Sequence, residues 1–203
     1  LVLLGWNPGT EQEIFSLSEL IEVFDLGRIN KAGAKFDPEK TKWFQHHYLQ
    51  VKDNKMLTSL FSKLLEKKGI VTNKNLSIIV ESIKDRATFV SDLWEQGSFF
   101  FEAPTEYDEK ASKKAFKEGT CEIMTTVLGL LNECNEFTSD EVSNRVKEWL
   151  TGQEFGFGKV MMPLRLSLVG DMKGPDVFNI AAILGKKETI NRVQKTITFL
   201  STD

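Results

Sequence analysis

The chain has 203 residues, enough for one large or two small domains, and its 41% hydrophobic and 27% charged residues are ordinary for a globular protein. No apolar run approaches the roughly eighteen residues of a membrane span, and no signal peptide is visible, so we expect no membrane partner. The net charge of −3 argues weakly against nucleic-acid binding, although positive charge is concentrated in residues 51–77 and 156–203, which a fold can bring onto one face.

The two cysteines and the first residue bear on the cellular context of the chain. Cys121 and Cys134 lack CxxC spacing and lie among helix-forming residues, so we expect buried free thiols and a reducing, cytoplasmic location. The chain starts at Leu1, within an apolar pattern and without an initiator Met. We therefore expect it to be part of a longer protein.

Helical spacing of apolar residues recurs along the whole chain. Three start signals are clear: a capping box of Ser16 and Glu19, an N-cap followed by proline at Asp37-Pro38, and a second capping box of Thr138 and Glu141. The predicted helices cover residues 16–25, 37–48, 54–68, 76–83, 108–132 with a break at Gly119, 139–151 and 188–199. No segment alternates as a strand does, so we predict an all-α fold of two or three packed helical layers.

Two aromatic segments are predicted to have structural roles. His46 and His47 are adjacent and point to different faces of a helix, so a shared metal site is excluded in favour of ring packing and a surface position. The connector 98–104 carries three consecutive phenylalanines and ends in proline. Burial between helical layers is favoured over a stacking platform for these rings, and we place a domain boundary near them.

The chain is organised around residues 156–184, where two short helix patterns flank a Gly-rich turn. We predict that Pro175 occupies the first position of the second helix and that Asp176 lies in its first turn. Arg165 stands among apolar residues that offer it no local partner. A rigid apolar turn with an exposed proline face and one fixed guanidinium suits the reading of unpaired bases. On composition alone, an ordinary pair of core helices with a snorkelling arginine is the stronger alternative.

Two long stretches resemble one known family. GKVMMPLRLSLVGDMKGPDVFNIAAILGKKETINRV, residues 158–193, is similar to the C-terminal end of bacterial glutamyl-tRNA synthetases, with its Pro-Leu-Arg run, Gly-Pro helix start and closing Leu-Gly-Lys segment. LLGWNPGTEQEIFSLSELIEVFDLGRINKAGAKFDPEKTKWFQHHYL, residues 3–49, resembles the segment just after the second ATP-binding signature of that family. Together the two stretches cover nearly half of the chain in the expected order.

The resemblance implies that different regions of the chain have different functions. Residues 1–51 correspond to the tail of the stem-contact region, and residues 52–103 and 104–203 to the two helical halves of the anticodon-binding region. The HIGH and KMSKS-type signatures are absent, as are a P-loop and a nucleophile elbow. We therefore expect no catalytic residue and no cofactor in this part, with ATP and Mg bound by the catalytic domain of the parent enzyme. The implied partners of a monomeric chain are tRNA-Glu and that catalytic domain.

The resemblance also assigns residues to bases. Arg86 matches the arginine that reads the third anticodon base and Arg165 the arginine that reads the first, while Gly174, Pro175 and Val177 match the turn that holds the middle base. A guanidinium offers a planar fork of donors that suits the O2 and N3 acceptors of a pyrimidine. An arginine at position 86 suggests an enzyme that prefers tRNA-Glu to tRNA-Gln. Taken without the resemblance, Arg86 equally fits an ion pair with a neighbouring carboxylate at a solvated helix end.

Two other functions stay open on the residues alone. The apolar turn within residues 156–184 is also suited to a helical protein-interaction module, and the charge blocks to a general helical binder of RNA or DNA. Salt separates these classes, because tRNA binding weakens steeply with ionic strength whereas an apolar protein interface does not.

Overall fold

A computed structural model of the protein describes residues 2–30 and 35–202. All regular elements within those ranges are helical, which confirms the predicted all-α fold. The α-helices are α1 (Leu17–Val23), α2 (Pro38–Val51), α3 (Asn54–Lys67), α4 (Leu76–Ile83), α5 (Asp92–Gly97), α6 (Glu109–Ala115), α7 (Thr120–Glu133), α8 (Ser139–Thr151), α9 (Gly158–Val169), α10 (Val177–Leu184) and α11 (Lys186–Thr202). Single 3-10 turns lie at Val2–Leu4, Leu26–Arg28, Lys84–Arg86 and Ser98–Phe100. Among the described residues, no helix is both long enough and apolar enough to cross a bilayer.

The chain forms two compact units, Leu1–Phe44 and Gln45–Asp203. In the first unit, Trp6 is 3% exposed, its indole N–H donates to the carbonyl of Asp25 at 3.0 Å, and its ring packs against Phe24. The second unit contains α3 to α11 and the last residues of α2. The boundaries expected near residues 51 and 103 stay predictions.

Local capping signals fix several helix starts as the sequence predicted. Ser16 and Glu19 form the reciprocal capping box of α1, with the Glu19 N–H donating to Ser16 Oγ at 3.2 Å and the Ser16 N–H to Glu19 Oε2 at 2.6 Å. Asp37 Oδ1 accepts from the first free amides of α2. The predicted break at Gly119 separates α6 from α7. These starts form because a polar side chain supplies the acceptor that the first helical N–H groups lack.

The second unit is held by one large apolar core. α3 and α4 pack together, α11 packs against α7 and α9, α6 against α9, and α10 against α8. Phe99 and Phe100 are 4% and 1% exposed, so these two rings of the connector are buried as predicted, whereas Phe101 is half-buried and stacks on Trp94. Of the two free thiols, Cys134 is buried and Cys121 is only half-buried. Full burial of a Leu, Ile or Phe side chain contributes about 1.5–3 kcal/mol, so this core supplies most of the driving force for folding.

The start of α8 differs from the predicted capping box. Thr138 Oγ1 accepts from the Glu141 N–H at 3.2 Å, as expected for an N-cap. The Glu141 carboxylate, however, does not return to Thr138, and instead accepts from the backbone N–H groups of Asn135, Glu136 and Phe137 at 2.8, 2.9 and 2.9 Å. Phe137 has a positive φ of 54°. The preceding loop therefore curls its amides around the carboxylate, a geometry that the spacing of Thr138 and Glu141 does not reveal.

This loop makes the stability of the chain depend on the ionisation of Glu141. The hydrogen bond from Asn135, followed by those from Phe137 and Glu136, lowers the pKa of Glu141 below its ordinary 4.5. A lowered folded-state pKa gives stability that is fully present above pH 4.5 and is lost as the pH falls through the folded value. We expect Glu141→Gln to have a lower melting temperature than the unmodified chain at pH 7. The difference in melting temperature should become smaller when both are measured below pH 4.5. Glu136→Gln removes an exposed carboxylate from the same loop, and its melting temperature should differ from that of the unmodified chain by the same amount at every pH. If Glu141→Gln also lowers the melting temperature equally at every pH, the prediction is contradicted.

Candidate nucleic-acid interface

Arg165 is fixed by the turn between α9 and α10, residues 170–176. Its Nη1 donates to the carbonyl oxygens of Lys173 at 2.9 Å, Gly174 at 3.4 Å and Pro175 at 2.7 Å. The immediate neighbours of Arg165 offer it no partner, as expected, and its acceptors are backbone carbonyls eight to ten residues further along the chain. The guanidinium is half-buried and oriented, and the turn is braced by it.

The start of α10 also corrects a prediction. Asp176 is the N-cap, and its Oδ1 accepts from the N–H groups of Phe178 at 2.9 Å and Asn179 at 3.2 Å. The helix begins at Val177, so Pro175 precedes the cap and does not take the first helical position. The physical reason is that a carboxylate bonding to the second and third helical amides must itself stand outside the helix.

The surface of this turn is not the exposed proline face that the sequence predicted. Pro175 is buried, and Val177 is 3% exposed and belongs to the main core. The side chains that reach solvent are those of Met172, Lys173 and Asp176. The assignment of Pro175 and Val177 to the middle anticodon base stays a prediction, and in this conformation their side chains support the turn from inside.

Gly174 is required by both the backbone and the packing of the turn. Its φ is +94°, a conformation that residues with a Cβ rarely adopt. A Cβ at this position would lie 3.1 Å from Phe99 Cζ and 3.3 Å from Ile180 Cδ1. Any contact between Gly174 and a base must therefore come from its backbone.

Arg86 ends the 3-10 turn Lys84–Arg86 and is exposed. None of the ion pairs formed by the described residues involves Arg86, so the alternative of a carboxylate partner finds no support. Burial lowers the pKa of Arg165, the Asp176 carboxylate opposes this change, and the nearby charge of Arg86 adds to the lowering. The structure thus brings the two predicted arginines into electrostatic range of each other, although they are far apart in sequence.

The backbone that carries Arg86 is held by two side chains of α2. His46 Nδ1 lies 2.9 Å from the carbonyl oxygen of Ala87, which requires the proton on Nδ1, and Gln50 Nε2 donates to the carbonyl of Lys84 at 2.8 Å. The interpretation of the histidine pair as ring packing and a surface position missed this brace. The i, i+4 spacing of His46 and Gln50, which places both on one helix face, was the signal available.

The family of the chain follows from a match over most of its length. Residues 42–197 match a protein family described as an anticodon binding domain. The chain belongs to the anticodon-binding domain family. The matched residues include all five predicted site residues, Arg86, Arg165, Gly174, Pro175 and Val177. Family membership therefore favours anticodon binding over the protein-interaction module.

Relatives of this anticodon-binding domain confirm the resemblance noted in the sequence. The chain is 54% identical over 201 residues to a glutamate–tRNA ligase of Flavobacterium psychrophilum and 52% identical to one of Christiangramia forsetii, matching 98% of this chain and 40% of each ligase. A crystal structure of a glutamate tRNA ligase from Elizabethkingia meningosepticum in complex with its amino acid superposes with a TM-score of 0.91 at 42% identity. It covers 98% of this chain, which spans 39% of that ligase.

Proposed function

We propose that the chain is the tRNA-binding part of a glutamate–tRNA ligase and recognises the anticodon arm of tRNA-Glu. The parent enzyme would attach glutamate to tRNA-Glu in the cytoplasm, with ATP and Mg²⁺ bound by a catalytic domain outside these 203 residues. The chain spans 40% of the relatives that it matches. We assign no catalytic residue to it and expect it to be inactive in aminoacylation on its own.

The observation that carries this proposal is the match of residues 42–197 to an anticodon binding domain, and both Arg86 and Arg165 lie within the matched residues. Two like charges repel each other, and the repulsion contributes to the lowered pKa of Arg165. This repulsion is unfavourable in the free protein and is relieved when an anionic ligand binds near the two charges. A tRNA loop supplies that charge in its phosphates and also presents base edges to which a guanidinium can donate.

The two arginines are suited to different bases because they are held differently. One nitrogen of Arg165 is occupied by the turn carbonyls, so its remaining donors are presented in a fixed direction, towards the first anticodon base in our proposal. Arg86 is exposed on a braced backbone and is assigned to the third base. Gly174, with Pro175 and Val177 beneath it, is assigned to the middle base through the backbone of the turn.

Arg86→Gln tests this proposal without removing a structural contact. We expect the variant to bind tRNA-Glu about tenfold more weakly than the unmodified chain, since a good guanidinium–base contact is worth about 1–3 kcal/mol. The measurement is a titration of the chain with tRNA-Glu and tRNA-Gln at two salt concentrations. The unmodified chain should prefer tRNA-Glu, and its affinity should fall steeply as salt rises.

Arg145→Gln is the matched control, because Arg145 is paired with Glu133 at 2.9 Å and is already neutralised on α8. It should leave tRNA binding unchanged. Equal affinity for both tRNAs would leave an electrostatic RNA binder and remove the proposed preference for tRNA-Glu. Absence of salt-sensitive binding by the unmodified chain would contradict the proposed function as a whole. Arg165→Ala is less informative, because it also releases three turn carbonyls.

A further inference from the structure

Phe89 is an exposed aromatic ring in the loop that carries Arg86. It is 43% exposed, although Phe is usually buried, and it lies three residues after the exposed arginine. The neighbouring Ala87 and Leu93 are completely buried. The ring is therefore exposed in a segment that is anchored to the core by Ala87 and Leu93.

The backbone under Phe89 is fixed from both sides. Asp92 Oδ2 accepts from the N–H groups of Thr88 and Phe89, each at 2.9 Å. On the other side, the carbonyl of Ala87 is bound by His46. These hydrogen bonds fix the backbone that carries the ring, so the exposure of the ring is not the result of a loosely attached segment.

The charges nearby indicate what would cover the ring. Arg86 is exposed and forms none of the ion pairs of the described residues, while Asp92 Oδ2 accepts hydrogen bonds from two backbone amides. A ligand for this surface must combine a flat apolar face with negative charge. An unpaired nucleobase on its phosphate backbone has both properties, and bases stack readily on aromatic side chains.

We propose that Phe89 stacks on an unpaired base of the anticodon loop, next to the base that Arg86 contacts. This inference rests on the proposed function and adds a binding residue that discriminates by shape rather than by hydrogen bonding. Arg86 and Phe89 then act on neighbouring nucleotides, one on a base edge and one on a base face. The hydrogen bonds made by His46 and Asp92 fix the backbone between Arg86 and Phe89, and thereby the spacing of these two residues.

The test compares Phe89→Ala with Phe89→Trp in the chain, using tRNA-Glu that carries 2-aminopurine directly after the anticodon. We expect Phe89→Ala to weaken binding by about 5- to 150-fold, the range for loss of one base–aromatic stack. Phe89→Trp should retain affinity. Binding to the unmodified chain and to the tryptophan variant should change the 2-aminopurine fluorescence, and binding to the alanine variant should not. The slope of affinity against salt should stay unchanged in Phe89→Ala, because no charge is removed.

Phe157→Ala is the matched control, since Phe157 is 49% exposed and lies about 12 Å along the α9 axis from Arg165. It should bind as the unmodified chain does. If the unmodified chain binds tRNA-Glu and Phe89→Ala binds equally well, the stacking role is wrong while the proposed function stands. Equal losses in Phe89→Ala and Phe89→Trp would also overturn stacking. Failure of the unmodified chain to bind would overturn the proposed function, and this inference with it.

Discussion

Replacement of Arg192 by methionine is expected to lower the free energy of unfolding by about 3–5 kcal/mol. Arg192 on α11 is 3% exposed, and its Nη1 donates to the carbonyls of Phe99 at 2.7 Å and Leu168 at 2.6 Å. Its Nε donates to Glu188 at 2.7 Å. Methionine fills similar volume but leaves two buried carbonyl oxygens without a donor, and each such loss costs about 1–3 kcal/mol.

Urea denaturation of Arg192→Met at neutral pH measures this effect, and Arg86→Met is its matched control. Arg86 is exposed, so the same chemical change there should alter the midpoint very little. The slope of free energy against urea should be the same in both variants if only the native state has lost contacts. A loss below about 1 kcal/mol for Arg192→Met would show that water or neighbouring donors satisfy the two carbonyls.

The position of Arg192 explains how the core supports the proposed interface. The Leu168 carbonyl belongs to the last turn of α9, where carbonyl groups lack helical partners. Arg192 supplies a donor there, and Arg165 supplies one to the turn that follows. Two arginines from separate helices thus satisfy backbone carbonyls in the last turn of α9 and in the turn that follows it. The turn that we assign to the middle anticodon base is therefore held by charged hydrogen bonds as well as by apolar packing.

The helices were predictable because their signals are local. The capping box of Ser16 and Glu19 and the apolar spacing of Leu57, Phe61 and Leu65 depend on residues within a few positions of one another. Such patterns specify a helix start and a buried face before any tertiary contact forms. The all-α fold needed no further information.

The site was less predictable because its contacts join distant residues. The carbonyls that bind Arg165 come from a turn whose path depends on the positive φ of Gly174 and the Asp176 cap. The burial of Pro175 depends on how that turn meets the core. The brace from His46 to Ala87 spans 41 residues, and the i, i+4 spacing of His46 and Gln50 marks their shared helix face without identifying the carbonyl that this face contacts. The identities of Arg86 and Arg165 came from resemblance, whereas the acceptors that hold Arg165 came only from the structure.

Gly170→Ala is expected to lower the free energy of unfolding by about 3 kcal/mol, through backbone strain and a close contact together. Gly170 has a φ of +81°, and an added Cβ would lie 2.8 Å from both the Glu106 carbonyl oxygen and Pro104 Cβ. The Asp108 N–H also donates to the Gly170 carbonyl at 2.8 Å, so the two segments cannot separate without losing this bond.

Gly119→Ala is the control, because Gly119 has a φ of +80° but nothing lies within 4 Å of the added Cβ. It should lower the free energy of unfolding only by the backbone strain, about 1–2 kcal/mol. Urea denaturation of both variants isolates the contact, since the backbone conformation is shared. Equal losses would mean that the 104–108 segment moves aside freely, and the end of α9 would then be less rigid than its hydrogen bonds indicate.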